Sequence, residues 1–247
     1  MTEIHHFFVK QKKIQNDHFI LDKNESHHLS RVARVKLGDA VILLNGEGTA
    51  YRAVVRDIDE NHLVSGTIHE SIKAYHEPSV KYHLGIGILK GAKIDLVVEK
   101  CTELGVASIT PLMMKHNMKQ QVNLERLDKI ARSAVKQCGR GNLPEIHPLM
   151  EFDTWFNLMR RGKGIVTQIG QNNVSIWQYL TDLPENVDDI WITIGPEGGF
   201  HQTEIDLINK HKIPFVSMGQ RRLRSETAAI ASMSVLDTFF SRRSAHD

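Results

Sequence analysis

Short apolar runs with strand character crowd the first third of the chain. "HHFFV" (5–9), "HFIL" (18–21), "DAVILL" (39–44), "YRAVVRDI" (51–58) and "HLVSGTI" (62–68) are rich in β-branched and aromatic residues. "NGEG" (45–48) divides two of them and predicts a hairpin turn. One helical stretch, "ESHHLSRVARV" (25–35), interrupts the series. Several short strands and one helix in so little chain predict a small β-barrel. "AYHEPSV" (74–80) breaks the pattern with a proline, and a domain boundary is expected there, giving domains 1–74 and 75–247.

Beyond residue 80 the period changes. "KYHLGIGIL" (81–89) reads as a strand and "KIDLVVEKCTELG" (93–105) as a helix with Gly105 as its C-cap. "ASITPL", "KGIVTQIG", "DDIWITIG" and "IPFVSMG" are further strands, and helical patterns separate them. In "NLERLDKIARSAVKQCG" (123–139), Leu124, Leu127, Ile130, Ala131, Ala134 and Cys138 share one face. Strand and helix in alternation predict an α/β fold with a parallel sheet and helices on both faces. Ligands in such folds lie beyond the carboxyl ends of the strands. Three ends stand out: "TQIG" (167–170), "IGPEGG" (194–199) and "SMGQRRLRSET" (217–227).

Composition narrows the class. The chain has 247 residues, 41% apolar and 24% charged, with a net charge of +2. That is the profile of a soluble globular protein. No window reaches the length of a membrane span, the N-terminus lacks the apolar core of a signal peptide, and a cytoplasmic location is expected. Cys101 and Cys138 fit neither a zinc spacing nor a disulfide framework, so both are read as reduced thiols. The fourteen histidines show no metal-ligand spacing, and no metal is expected. Charge is uneven, however. Between Lys115 and Arg140, seven Lys or Arg (115, 119, 126, 129, 132, 136 and 140) face only two acids. Such a stripe is either a polyanion footprint or a solvated helix face. Arg31 and Arg34, one helical turn apart, carry the same two readings.

Two strand-end loops are specialised in opposite ways. "IGPEGG" is almost bare of side chains, which exposes N–H and C=O groups to a ligand and permits positive φ. "SMGQRRLRSETAAI" gathers Arg221, Arg222 and Arg224 beside a helix N-terminus, with Ser225 expected as N-cap and Glu226 in the first turn. Clustered arginines suit phosphate. The pair fits a small ligand held by backbone beside a polyanion held by arginine. "GIGILKG" (85–91) imitates a dinucleotide fingerprint, but its third glycine is one residue late and the acidic partner is not clear. Serine- and cysteine-nucleophile signatures are lacking.

"KGAKIDLVVEKCTELGV" (90–106), "KQCGRGNLPEI" (136–146), "IGPEGGFHQTEI" (194–205) and "MGQRRLRSETA" (218–228) occur in this order. Together with "HHLSRVARVKLGD" (27–39) and "LNGEG" (44–48) they closely resemble the RsmE family of 16S rRNA uracil(1498)-N3-methyltransferases, over nearly the whole chain. The resemblance implies a PUA-like RNA-binding domain at 1–74 and a SPOUT methyltransferase domain at 75–247, with a deep trefoil knot near its C-terminus. It implies a homodimer, 16S rRNA of the small ribosomal subunit as substrate, no membrane partner, and S-adenosylmethionine as cofactor. By the resemblance the cofactor would be held by Thr167, Gly170, Ile194, Gly195, Pro196, Glu197, Gly198, Gly199, Met218, Gly219, Arg221, Leu223 and Thr227. Arg224 and Glu226 are the catalytic candidates, and Arg31, Arg34, Arg132, Arg140 and Arg222 the RNA-binding ones. Four residues depart from the family pattern: His6, Lys136, Arg222 and His201. His201 replaces a serine, so the capping box with Glu204 is expected to be lost. The rivals are another SPOUT enzyme, acting on a tRNA ribose 2′-OH, and a non-catalytic RNA-binding protein; the intact loops speak against the second.

Overall fold

The structure, a computed structural model, describes residues 5–117, 121–170 and 173–244. Lys119 of the basic stripe lies outside them. The chain divides into two units, one running to Glu77 and joined by Arg132–Leu143, the other made of Pro78–Ala131 and the chain from Pro144 onward.

The first unit is built on β1 (His6–Phe8), β2 (Ile14–Gln15), β3 (His18–Ile20), β4 (Ala40–Leu44), β5 (Thr49–Ile58) and β6 (Val64–Lys73). They form one sheet in the order β1-β4-β5-β6-β3-β2, antiparallel except where β1 runs parallel to β4. The Asn45–Gly48 turn joins β4 to β5, and Asn45 Oδ1 accepts from the N–H groups of Glu47 and Thr49. β4 explains why its sequence is continuously apolar. Val41 and Leu43 face a core with Phe7, Phe19, Leu29 and Val64, while Ile42 and Leu44 pack on the other side with Ala50 and Val135. A strand covered on both faces has no position for a polar residue.

The predicted helix at 25–35 divides. α1 (Lys23–His27), capped by Asp22, runs into a wide turn of π type at His28–Val32. Arg34 then adopts φ 54°. Arg31 and Arg34 are both exposed, but they do not share a regular helical turn.

Two imidazoles tie this unit to pH. Burial, and then His76 and His5, hold His6 below its usual pKa; burial, and then Lys136, do so for His28. The unfolded chain therefore binds protons more readily than the folded one, and stability rises with pH. The contribution is fully present above the usual imidazole pKa of about 6.5 and is lost as pH falls below it. Melting between about pH 7.5 and 5 is expected to show this loss, and His6→Gln to flatten it.

The second unit contains β7 (Lys81–Gly87), α2 (Lys93–Glu103), β8 (Val106–Met113), α3 (Leu124–Cys138), β9 (Glu145–Ile146), β10 (Met150–Glu151) and α4 (Phe152–Met159). It continues with β11 (Lys163–Thr167), β12 (Val174–Ser175), α5 (Ile176–Thr181), β13 (Asp189–Ile194), α6 (Gln202–Lys210), β14 (Phe215–Ser217) and α7 (Ser225–Ser244). The residues of α3 from Arg132 onward group with the first unit. The sheet is parallel throughout, in the order β10-β8-β7-β13-β11-β14-β12, with β9 beside β8. Tyr82, Leu84 and Ile86 of β7 and Ile190, Ile192 and Ile194 of β13 are buried, as the centre of a sheet demands. Gly105 ends α2 with φ 83°.

The glycines of "GIGILKG" have a packing reason. A Cβ on Gly85 would stand 2.3 Å from the Trp155 ring, and one on Gly87 2.6 Å from the backbone nitrogen of Pro196. Each lets another segment approach β7 within its own side-chain space. Cys101 is fully buried, and burial pushes its thiol far above the usual range, so it stays protonated and inert.

Candidate active site

Register brings the specialised loops together. Ile86, Ile194 and Thr167 lie side by side where β7, β13 and β11 end, and Val216 of β14 continues the row. Four connections therefore leave the carboxyl end of the sheet, with described residues 88–92, 195–201, 168–170 and 218–224. They enclose a cavity of about 800 Å³, within the range of small-molecule sites.

Each loop is fixed locally. Pro196 and Gly199 close a turn through Gly199 N–H donating to Pro196 O at 2.9 Å, and Gly199 takes φ 73°. A Cβ on Gly199 would meet nothing within 4 Å, so its requirement is conformational. Ser225 Oγ donates to Gly195 O at 2.7 Å, joining the start of α7 to the glycine loop. This corrects the expectation for Ser225. The N-cap is Arg224, whose carbonyl accepts from Ala228 N at 2.8 Å, and Ser225 is already helical. Thr167 is buried, with its hydroxyl 3.5 Å from Thr193 O.

The glycine loop leads into α6 through a second corrected detail. His201 does cap the helix: its Nδ1 accepts from Thr203 N at 3.2 Å, while Glu204 Oε2 accepts from His201 N at 2.8 Å. The capping box expected to be lost is present, because an imidazole nitrogen offers the acceptor that a serine oxygen offers elsewhere. His201→Ala is expected to cost about 1 kcal/mol, read as a lower thermal midpoint of the second unit.

Charge in the cavity is mixed. Arg221, Arg222 and Arg224 line it, as do Lys90 and Lys93. Lys93 Nζ lies 2.6 Å from Glu197 Oε1 and 3.9 Å from Glu226 Oε1. Glu226 is buried, and its Oε2 has no hydrogen-bond partner. Bare backbone, arginines and the Glu197 carboxylate suit a ligand that carries cationic, amide-like and phosphate groups.

A family model described as an RNA methyltransferase domain matches residues 76–237, and an RNA methyltransferase PUA domain matches 21–66. Ribosomal RNA small subunit methyltransferase E of Buchnera aphidicola (from Acyrthosiphon pisum) is 30% identical over 249 residues, spanning 94% of this chain and 96% of the relative. This chain belongs to the ribosomal RNA small subunit methyltransferase E family. The Bacillus subtilis member is 24% identical, over 93% of this chain and 94% of its own. Among solved structures, the Neisseria gonorrhoeae member bound to S-adenosyl methionine shares the fold, with a TM-score of 0.83 at 23% identity, over 96% and 98% of the two chains. A putative methyltransferase from Legionella pneumophila, in complex with the bound cofactor SAM, gives 0.79 at 28% identity, over 96% and 98%.

For this family member the residues named from sequence fall into two groups. Thr167, Ile194, Gly195, Pro196, Glu197, Gly199, Met218, Gly219, Arg221 and Leu223 line the cavity together with Arg222 and Arg224. Gly170, Gly198, Glu226 and Thr227 stand outside its lining. Arg31, Arg34, Arg132 and Arg140 belong to the first unit. Arg132 is exposed, with its guanidinium 5.6 Å from the Phe8 ring centre.

Arg140 is a correction. It is buried, with Nε 3.1 Å and Nη2 2.5 Å from the two oxygens of Glu77, so its charge is spent inside the fold. Lys136 also pairs with Glu25, at 3.2 Å and largely buried, whereas Arg126 pairs with Asp95 while staying mostly exposed.

Lys90, Lys93, Gln168, Ile169, Phe200 and Ser217 also line the cavity and were not named from sequence. The signal for Lys93 was present in the "KGAK" of the matched segment, but its partners lie in other segments. Among the described residues no cluster of His, Cys, Asp or Glu is placed to hold a metal, and no helix is long and apolar enough to cross a membrane.

Proposed function

We propose that this chain transfers a methyl group from S-adenosylmethionine to N3 of a uridine in 16S rRNA, the position that the family numbers 1498. The observation that carries the reading is the convergence of the bare loop and the arginine loop on one cavity, in a chain that matches the RNA methyltransferase domain over 76–237. The cavity residues fit the cofactor: backbone of Ile194–Gly199 and Met218–Leu223 offers donors and acceptors to an adenine edge, and Glu197 offers an anion to a cationic group. The cofactor supplies an electrophilic methyl carbon, which uracil N3 attacks once its proton has left, the C–S bonding pair departing with sulfur. Uracil N3–H is a weak acid, so positive charge beside the ring favours the reactive anion. Arg224 is assigned that task, with Arg221 and Arg222 gripping phosphate. Glu226 is assigned the proton: its free Oε2 is an acceptor, and catalytic distances often close only when substrate is bound.

The N-terminal domain would hold RNA through Arg31, Arg34 and Arg132. We also infer a C-terminal knot, supported by β14 lying between the earlier strands β11 and β12. A homodimer is supported by exposed apolar side chains at Ile169, Val174 and Trp177. The cell compartment would be the cytoplasm, where ribosomal subunits are made.

The test is methyl transfer from labelled S-adenosylmethionine to small subunits that lack the modification, followed by nucleoside analysis. 3-Methyluridine is the expected product. A different methylated nucleoside would move the chain to another RNA methyltransferase activity. No cofactor binding at all would reduce the loops to structural turns.

A further inference from the structure

A loop almost bare of side chains cannot brace itself. Glycine gives up more backbone freedom on ordering than any other residue, and Gly198 and Gly199 have no side chain to pack. The glycine loop is held from outside instead. At its start, Gly195 O accepts from Ser225 Oγ at 2.7 Å. At its end, Gly199 O lies 3.2 Å from His116 Nδ1. A carbonyl only accepts, so this nitrogen carries the ring proton and donates it.

His116 comes from a third segment, just beyond the end of β8. That segment is itself anchored. Glu204 is buried; its Oε1 accepts from Lys115 N at 2.9 Å and its Oε2 from His201 N at 2.8 Å. One carboxylate thus ties the backbone beside His116 to the start of α6. Asn117 Nδ2 donates to Leu112 O at 2.6 Å and closes the same turn. The glycine loop comes close to it: a Cβ on Gly198 would stand 3.0 Å from His116 Cβ. The His116 ring also meets the His201 ring edge-on, with 5.3 Å between centres. His116 is exposed, so filling a core is not its task.

We propose that His116 is a positioning residue for the cofactor: its Nδ1–H fixes the Gly199 carbonyl and holds the glycine loop in the shape that lines the cavity. Gly199 lines that cavity and His116 does not, so His116 acts through the loop. The proposal rests on the methyltransferase reading in naming S-adenosylmethionine as the ligand of the loop. A loop ordered in advance loses its freedom on folding rather than on binding, which strengthens affinity.

The experiment compares the full-length protein with His116→Ala, His116→Asn and His116→Phe. Alanine removes donor and ring but keeps the Cβ that faces Gly198. Asparagine restores a donor at the place of Nδ1 without the ring, and phenylalanine restores a ring without the donor. The Kd for S-adenosylmethionine, by calorimetry, is expected to rise about three- to tenfold in the Ala and Phe variants and to return to within about twofold of wild type in Asn. In turnover the loss falls on KM for the cofactor rather than on kcat at saturation, a split that partial unfolding would not give. Unchanged affinity in the Ala variant overturns the proposal. So does rescue by Phe and not by Asn, which would assign the effect to the ring contact with His201.

A second readout needs no cofactor. Gly199 N donates to Pro196 O at 2.9 Å, so exchange of this amide reports opening of the loop. It is expected to be about threefold faster or more in the Ala and Phe variants and close to wild type in Asn. Equal exchange rates overturn the proposal even if the wild type binds no S-adenosylmethionine, a result that would by itself sink only the methyltransferase reading.

Discussion

Arg224→Ala is expected to lower kcat for 3-methyluridine formation by about 10²- to 10³-fold while leaving stability almost unchanged. Both halves follow from its position. The side chain is exposed and lines the cavity, so its removal opens no void in the core. Its structural service is a backbone one, the carbonyl that accepts from Ala228 N at 2.8 Å, and alanine keeps that carbonyl. On the assignment proposed for Arg224, what is lost is a fixed cation where uracil would acquire negative charge. Such a charge is worth most in the transition state, which puts the loss in kcat rather than in KM.

Arg222→Ala provides the contrast. It lines the same cavity but departs from the family pattern, and it is assigned to phosphate. It should weaken RNA binding across sequences and reduce the salt dependence by about one phosphate contact, with kcat nearly intact. Single-turnover rates at saturating RNA separate the two. Equal kcat losses in both variants would mean the arginines act as one electrostatic patch, and the assignment of Arg224 to the uracil would fall.

How far the sequence reaches can be read from particular residues. Alternating apolar runs placed β7, β13, β11 and β14, and the parallel-sheet rule pointed to their carboxyl ends, where the cavity lies. Register does the rest: with Ile86, Ile194 and Thr167 abreast, loops far apart in the chain must meet. That is why the two specialised loops were legible. Lys93 was not, because its meaning depends on Glu197 and Glu226, which only the folded chain brings to it. His201 misled because helix caps are usually read from Ser, Thr, Asp and Asn, whereas any local acceptor with the right reach serves. Ser225 misled in the opposite sense: a residue suited to capping has a better partner in Gly195 O. The wide turn after α1 has no pattern of its own in "HHLSRVAR", where helical spacing continues. Arg140 failed for the reason Lys93 was missed. Counting charges along α3 says nothing about an acid at position 77.

Glu77→Ala follows from that pair, with the largest effect expected on stability. Glu77 and Arg140 are 7% and 4% exposed on their side chains. Glu77 Oε1 also accepts from Asn142 N at 2.7 Å, so the carboxylate organises the 140–142 turn as well as the charge. Removing it takes the carboxylate away from a buried guanidinium and from the backbone N–H of Asn142. The cost is expected to be about 3–5 kcal/mol. The three tryptophans all lie in the second unit. The loss is therefore better read from faster amide exchange in β4 and β5 than from intrinsic fluorescence. Replacing both partners with apolar residues of similar volume, Glu77→Leu with Arg140→Met, should recover most of the loss, because no charge is left uncompensated. The same variants decide what Arg140 does. If its charge is spent on Glu77, the double replacement slows no association with RNA and leaves the salt dependence of binding unaltered. If Arg140 grips phosphate, the double replacement folds normally yet binds RNA more weakly and with a shallower salt slope, and the assignment of Arg140 to the interior fails.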